Sequence, residues 1–522
     1  MRLNHLYKSV EEHYGIITAC IFFCAIAVLF TFPVREGYFF WHVKTGQWIW
    51  EHKSLPGVDP FSSVTQNVNL PFAVAERTRF YLTQYWLGQL VLFGVWKAAG
   101  EAGMVVLRAL IYTSILGFMY WWMKRTKKGV IPLATVFLVS NALLHYPNER
   151  PQIFAYPLML SLLYLLEQLT TTGAALKKSH IVSLMLIMLV WGNCHASFVL
   201  GIAVIAAYLI GYIITTLRQG VTLCRPVCAV MTGAMAIGLL NPNGADAFKF
   251  ALLGLQSSDN NARAINEYIS FFSMTIDSQL FFYGYWMLLI VSIVTIGVKF
   301  RSIPLQHLLV ILLLTALSLS GNRYIPFFVF AAPLALQHLP DVNVKGRYVL
   351  VPVLNLVIWL NLSSFKNSLK FRASRAFPAK ATQFLNSVKP AGRIFHDELW
   401  GGYLMCYSTY PVFVDGRGLA DKFNTMALLA LEGINWKWPF DFLGINVIIM
   451  PGCHHDSGKT YPLLVQLTED SNWALIYQDE VAVIFVRNIP QHRDLVARFQ
   501  IPKNRTYDHL VGRWAWLNAY DL

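Results

Sequence analysis

From the N-terminus to about Phe365, apolar residues gather into runs of near-spanning length, and polar residues are confined to short stretches between them. Such runs read as membrane helices, because a bilayer core is crossed by about 20 apolar residues. They fall near 16–34, 104–123, 130–146, 152–168, 181–197, 198–217, 227–241, 279–298, 303–320, 323–339 and 348–365, which makes eleven. The first run lacks a cleavage site and reads as a retained signal anchor. The stretch Gln84–Ala99 is apolar but short, and it carries Gln84, Gln89 and Lys97. Beyond Phe365 the pattern changes to short alternating segments with charges. Expected strands there are Arg393–His396, Tyr403–Tyr407, Val412–Asp415, Val447–Met450, Ala474–Gln478 and Ala482–Arg487. Expected helices are Ala379–Val388, Lys422–Leu431 and Tyr461–Thr468.

The expected architecture is an all-α polytopic membrane domain (1–365), with an outer loop (35–103) carrying an interfacial helix. An extracytoplasmic α/β domain (366–522) follows. Composition agrees. Of 522 residues, 56 % are apolar and only 13 % charged, against about 25 % charged in soluble domains. That excludes an ordinary soluble enzyme, a disordered chain and a disulfide scaffold. In the bilayer core, helices that satisfy their own backbone are then the solution.

Net charge is +14. Its distribution decides orientation rather than pointing to nucleic acid. If Gln84–Ala99 lies on the surface, Arg2, Lys8, Lys124, Arg125, Lys127, Lys128, Lys177, Lys178, Arg218, Arg225, Lys299, Arg301, Lys345 and Arg347 all fall on one face, assigned to the cytoplasm by the positive-inside rule. The polar residues suited to chemistry then collect on the opposite face, although they played no part in setting the orientation.

Those residues form a short set. Glu36 follows the first span, and Asp59 lies later in the same loop. A carboxylate there can act as a base or bind a cation; the plainer reading is a solvated juxtamembrane charge and a turn residue before Pro60. His145 to Gln152 places Glu149 and Arg150 at a membrane boundary, where a guanidinium suits phosphate, or where the two charges balance each other. Trp191 to Phe198 joins two apolar runs with almost no loop, so Asn193 and His195 sit at the boundary, as ligand contacts or as caps of a helical hairpin. Glu267, Asn322 and Arg323 are further outer-face candidates, Arg323 as headgroup ligand or helix anchor. In the C-terminal region Trp400-Gly401-Gly402-Tyr403 and Asp415-Gly416-Arg417 stand out; Cys453-His454-His455-Asp456 carries metal-ligand types, but contiguous ligands are a weak pattern and it reads first as a solvated loop. Seven cysteines show no framework. No P-loop, GxSxG, HExxH or Rossmann fingerprint is present.

The stretch Glu36-Gly37-Tyr38, Thr45-Gly46-Gln47-Trp48 and Leu55-Pro56-Gly57 resembles the first outer loop of GT-C-type membrane glycosyltransferases of the protein mannosyltransferase and aminoarabinose transferase group. Phe93-Gly94 through Gly100, followed by Leu107-Arg108, is similar to that family's interfacial helix and second-span start. In the family an acidic pair often follows the first helix; here Arg35-Glu36 keeps one carboxylate. Trp41-His42, Asp59-Pro60-Phe61-Ser62, Arg150-Pro151-Gln152, Trp191 to Phe198, Asn241-Pro242-Asn243-Gly244, Trp400 to Leu404 and Val414 to Arg417 also resemble a group of bacterial multi-pass proteins.

The resemblance implies transfer of a sugar from a polyprenyl-phosphate carrier to a lipid, glycan or protein acceptor, at the outer face of the bacterial inner membrane. It makes Glu36 the base candidate and Asp59 the second. Arg150, His195 and Arg323 become phosphate-side candidates, with His42, Asn193, Asp415 and Arg417 as further substrate contacts. It names no certain cofactor; a divalent cation is compatible, and no metal ligand is assigned. Two other readings stay open: a polymerase or ligase of lipid-linked glycans, and a non-catalytic envelope-assembly protein.

Overall fold

The computed structural model describes residues 20–34, 36–65, 72–144, 146, 149–171, 177–220, 222–250, 283–342, 377–417, 419, 421–453 and 459–502. The expected span 348–365, Glu267, and His454 to Asp456 lie outside the described residues. Contacts divide the chain into two units: Met1–Pro33 with Gly94–Ser368, and Val34–Phe93 with Leu369–Leu522.

The first unit is helical. Among the described residues, four helices are long and apolar enough to cross a membrane: Trp86–Thr126, Gln152–Thr170, Phe198–Arg218 and Tyr283–Ser302. Shorter apolar helices cover Cys20–Leu29, Ile131–Leu143, Lys178–Cys194, Arg225–Gly238 and Leu305–Ser320. Two of these are briefer than the apolar runs that predicted them, because local breakers close them. Leu305–Ser320 starts after Pro304 and stops at Gly321, and Arg225–Gly238 stops before the Asn241-Pro242 turn. Ile325–Leu336 lies at the centre of the bundle, with every one of its residues buried. It packs on Leu305–Ser320 and Tyr283–Lys299, and Leu305–Ser320 in turn packs on Phe198–Arg218. Trp86–Thr126 is broken at Gly100, whose φ of 55° and ψ of −144° suit glycine alone. The break falls between the expected surface helix and the expected span from 104.

The second unit is built on a mixed four-stranded sheet, β1 (Arg393–His396), β2 (Ile445–Pro451), β3 (Trp473–Gln478) and β4 (Ala482–Arg487), in the order β1-β2-β4-β3. β1 and β2 are parallel, and the other pairs antiparallel. β2 is apolar on both faces because both are covered. Ile448 and Met450 enter one core with Val64, Phe413, Trp436 and Phe440; Val447 and Ile449 enter another with Trp41, Phe61, Trp400 and Leu404. Outer-loop residues thus complete both cores, and Val34–Phe93 folds with the C-terminal sheet rather than by itself.

Two expected strands differ. Tyr403–Tyr407 belongs to the helix Glu398–Tyr407. The Asp397 carboxylate caps it, accepting from Leu399 N at 2.7 Å, and Trp400, Gly401, Leu404 and Met405 recur at helical spacing on its buried side. Val412–Asp415 stays outside the sheet and bends at Phe413, with Val412 joined instead to Ser62 by an isolated parallel bridge. The helix Gly37–His52 lies against Glu398–Tyr407. Glycines permit this approach: a Cβ on Gly402 would collide with the Gly37 carbonyl oxygen, and one on Gly37 with the Leu399 carbonyl oxygen.

Candidate functional site

In the first unit, three of the candidates come together. His195 ends the helix Lys178–Cys194 as its C-cap, and both Arg323 and Arg150 act electrostatically on its ring. Arg150 precedes the helix Gln152–Thr171, and Arg323 precedes Ile325–Leu336. Three helix ends therefore bring two arginines within electrostatic reach of one imidazole. The other end of Ile325–Leu336 meets the basic loop: Lys127 Nζ donates to the Leu339 carbonyl at 2.5 Å and faces Asp341 at 3.8 Å. The cationic cluster and the Lys124–Lys128 loop thus occupy opposite ends of the helix bundle.

The His195 ring is fixed by Ser197, whose backbone N donates to Nδ1 at 3.0 Å and whose Oγ lies 2.8 Å from it. Trp191 Nε1 donates to the same hydroxyl at 2.9 Å. Arg323 reaches the Tyr324 hydroxyl at 2.7 Å and stacks over its ring. Asn193 takes a structural part. Its amide donates to the Leu189 carbonyl at 2.8 Å and the Leu240 carbonyl at 2.9 Å, tying two helix ends together.

Glu149 forms its ion pair with Arg108, both side chains being buried. The expected internal balance of Glu149 against Arg150 is therefore replaced by a longer-range pair. Arg108 also donates to the carbonyls of Phe30 (2.8 Å) and Phe32. Beside it, Tyr112 donates to the Tyr146 carbonyl at 2.5 Å, and Tyr146 to the Asn322 carbonyl at 2.8 Å. This scaffold around Arg150 and Arg323 was missed. A charged Arg108 inside an apolar run was its one signal in the sequence.

In the second unit, Asp59, Asp415 and Arg417 meet as a buried triad. Arg417 Nη1 donates to Asp59 Oδ1 at 2.7 Å and Nη2 to Asp59 Oδ2 at 3.1 Å. Its Nε donates to Asp415 Oδ1 at 2.7 Å and Nη2 to Asp415 Oδ2 at 2.6 Å. Asp59 also accepts from Phe61 N at 3.2 Å and from the Thr65 hydroxyl. Burial alone would lower the Arg417 pKa, but Asp415 and Asp59 hold it above its ordinary value. Nearby, Ser63 N donates to the Val412 carbonyl at 2.7 Å and Val412 N to the Phe61 carbonyl at 3.0 Å. The triad and these bonds fasten the outer loop to the C-terminal segment.

Glu36 is the half-buried N-cap residue of Gly37–His52, where the helix dipole favours a carboxylate. His42 is buried inside the same unit, packed on Trp41 and edge-on to Tyr85, with Gln89 Nε2 at 3.3 Å from its Nδ1. Two acidic neighbours went unremarked in the sequence: Asp397, which also accepts from Tyr461 at 3.0 Å, and Glu398. Burial, then Asp397 and Asp415, push the Glu398 carboxyl up to about 7. His396 is locked between the Asp397 carbonyl and Phe413 N. Among the described residues no three His, Cys, Asp or Glu side chains gather as a metal site.

Neither a protein-family model nor a curated protein sequence matches the chain. Solved structures do. The apo crystal structure of the Archaeoglobus fulgidus oligosaccharyltransferase aligns with a TM-score of 0.53 at 10 % identity, over 83 % of this chain and 69 % of that one. The same enzyme tethered to an acceptor peptide containing the NVT sequon gives 0.52 at 10 % identity and the same coverage. ArnT from Cupriavidus metallidurans, bound to undecaprenyl phosphate, gives 0.49 at 11 % identity, over 95 % of this chain and 99 % of that one. The likeness to the oligosaccharyltransferase is one of fold alone.

Proposed function

We propose that this chain is an integral membrane glycosyltransferase that moves a sugar from a polyprenyl-phosphate carrier to an acceptor at the outer face of the plasma membrane. The observation that carries the reading is that Arg150 and Arg323 lie within electrostatic reach of His195, at the end of the bundle remote from the Lys124–Lys128 loop. Glycosyl transfer from a phosphate carrier leaves developing negative charge on the carrier phosphate. Preorganised guanidiniums stabilise such charge best where water is scarce. The GT-C-like fold supports the assignment of reaction class. In this reading Glu36 takes the proton of the acceptor hydroxyl, on a helix end braced by Glu398–Tyr407. Asp59, with both oxygens engaged by Arg417, serves with Asp415 as a clamp rather than as a second base. The second unit lies outside the cytoplasm and shapes the acceptor site, with its lipid, glycan or protein acceptor defined by the test itself.

The test is mass spectrometry of envelope lipids and glycans from cells lacking the protein, complemented with wild type, Glu36→Gln, Arg150→Gln or Arg323→Gln at matched protein levels. Loss of one glycosyl unit that only wild type restores supports the proposal. Full restoration by Glu36→Gln, with failure of the arginine variants, moves the chemistry to the ligase class. Restoration by every variant leaves a non-catalytic assembly protein.

A further inference from the structure

The segment from Asp421 to Leu443 is two short helices, Asp421–Leu431 and Lys437–Leu443, joined by a turn through Gly433 and Asn435, both at positive φ. Its inner side is apolar for an evident reason: Ala427, Ala430, Leu431, Trp436 and Phe440 fill the core against β2. Its outer side is apolar as well. Leu428, Leu429 and Ile434 are exposed, and Trp438 and Phe442 are 71 % and 74 % exposed. The two aromatic rings lie nearly parallel, 12° apart in plane with centroids at 5.5 Å. Single exposed apolar residues are ordinary on a protein surface, but five on one short hairpin are not. A helix apolar all round has its second face covered by something.

We infer that this hairpin inserts its outer face into the interfacial layer of the lipid bilayer. Two features of the chain select lipid as the occupant. The unit is continuous in sequence with apolar helices at Pro33–Val34 and Phe93–Gly94, so a bilayer is always at high effective concentration around it. The residue types are those of an interfacial anchor: Trp, Phe and Leu to enter the acyl boundary, and an exposed Lys437 whose stem can follow them while its ammonium stays in water. Lys437 is held at 2.9 Å from Asp470, and Arg487 pairs with Asp441, so the charged rim is largely neutralised before it approaches headgroups. Glu432 completes the polar edge. The inference concerns this surface alone and does not depend on the proposed reaction.

The experiment uses the full chain in nanodiscs of phosphatidylcholine, one copy per disc. An environment-sensitive fluorescent amino acid replaces Trp438, Phe442 or, as a water-exposed reference, Glu480. Phosphatidylcholine carrying a nitroxide on the acyl chain should quench positions 438 and 442 several-fold more than position 480, and iodide should do the reverse. Equal iodide access at all three positions overturns the inference. Protection of 438 and 442 that appears only in vesicles holding many copies, without nitroxide quenching, also overturns it and assigns the face to a second copy of the chain.

Discussion

Replacing Arg417 with methionine tests the argument that the outer loop and the C-terminal segment form one unit. The guanidinium makes four hydrogen bonds of 2.6–3.1 Å to Asp59 and Asp415, and the Arg417 side chain and that of Asp59 have no accessible surface at all. Methionine keeps much of the volume but strands two buried carboxylates. Removing one partner of a buried ion pair costs about 3–5 kcal/mol, most of it the penalty of the charge left behind. For a unit of this size each kcal/mol moves the midpoint by about 2–4 °C, so the unfolding of the second unit should fall by about 10 °C. Purified protein in detergent, followed by tryptophan fluorescence on heating, reads this. Hydrogen exchange adds location: the amides of Ser63 and Val412, bonded across the junction at 2.7 and 3.0 Å, should lose protection first. The triple variant Asp59→Asn, Asp415→Asn, Arg417→Met removes the stranded charges and should recover part of the loss. If Arg417→Met melts with wild type and its junction amides stay protected, the clamp is not what holds the loop.

Two further outcomes follow from the same unit. Glu398 ionises near 4.5 ordinarily but at about 7 when folded, through burial and then Asp397 and Asp415. A raised carboxyl pKa means a contribution complete below about pH 4.5 and lost as pH rises through about 7; Glu398→Gln should therefore gain stability at pH 8, by at most about 3 kcal/mol, and show a flatter profile between pH 4.5 and 7. An unchanged profile would show that the carboxyl is not held in its neutral form. Gly402→Ala should destabilise the unit by about 1–3 kcal/mol of overpacking, seen as a lower melting temperature, because its Cβ meets the Gly37 carbonyl and has Trp41 N at 3.2 Å; a gain, the usual result of Gly→Ala in a helix, would contradict the close helix contact.

Much of this protein was legible in its sequence, for a physical reason. Water and lipid select residues by local composition, so the apolar runs, the break near Gly100, and the strands Arg393–His396, Val447–Met450, Ala474–Gln478 and Ala482–Arg487 follow from pattern and turn chemistry alone. Where a local competitor exists, pattern fails: Tyr403–Tyr407 is a short apolar run that reads as a strand, yet the cap from Asp397 and the fit of Gly402 against Gly37 make it helical. Charge pairing was the least legible. Glu149 stands next to Arg150 in the chain but pairs with Arg108, and Asp59 reaches Arg417 across 358 positions. Coulombic and hydrogen-bonding energies depend on distance in space and on burial, which sequence separation does not encode. Composition determined that the chain has the apolar runs of a membrane protein and that its polar residues are confined to short stretches between them. Only the tertiary structure decided that Arg150, His195 and Arg323 share one region, and that Asp59, Asp415 and Arg417 are held against one another.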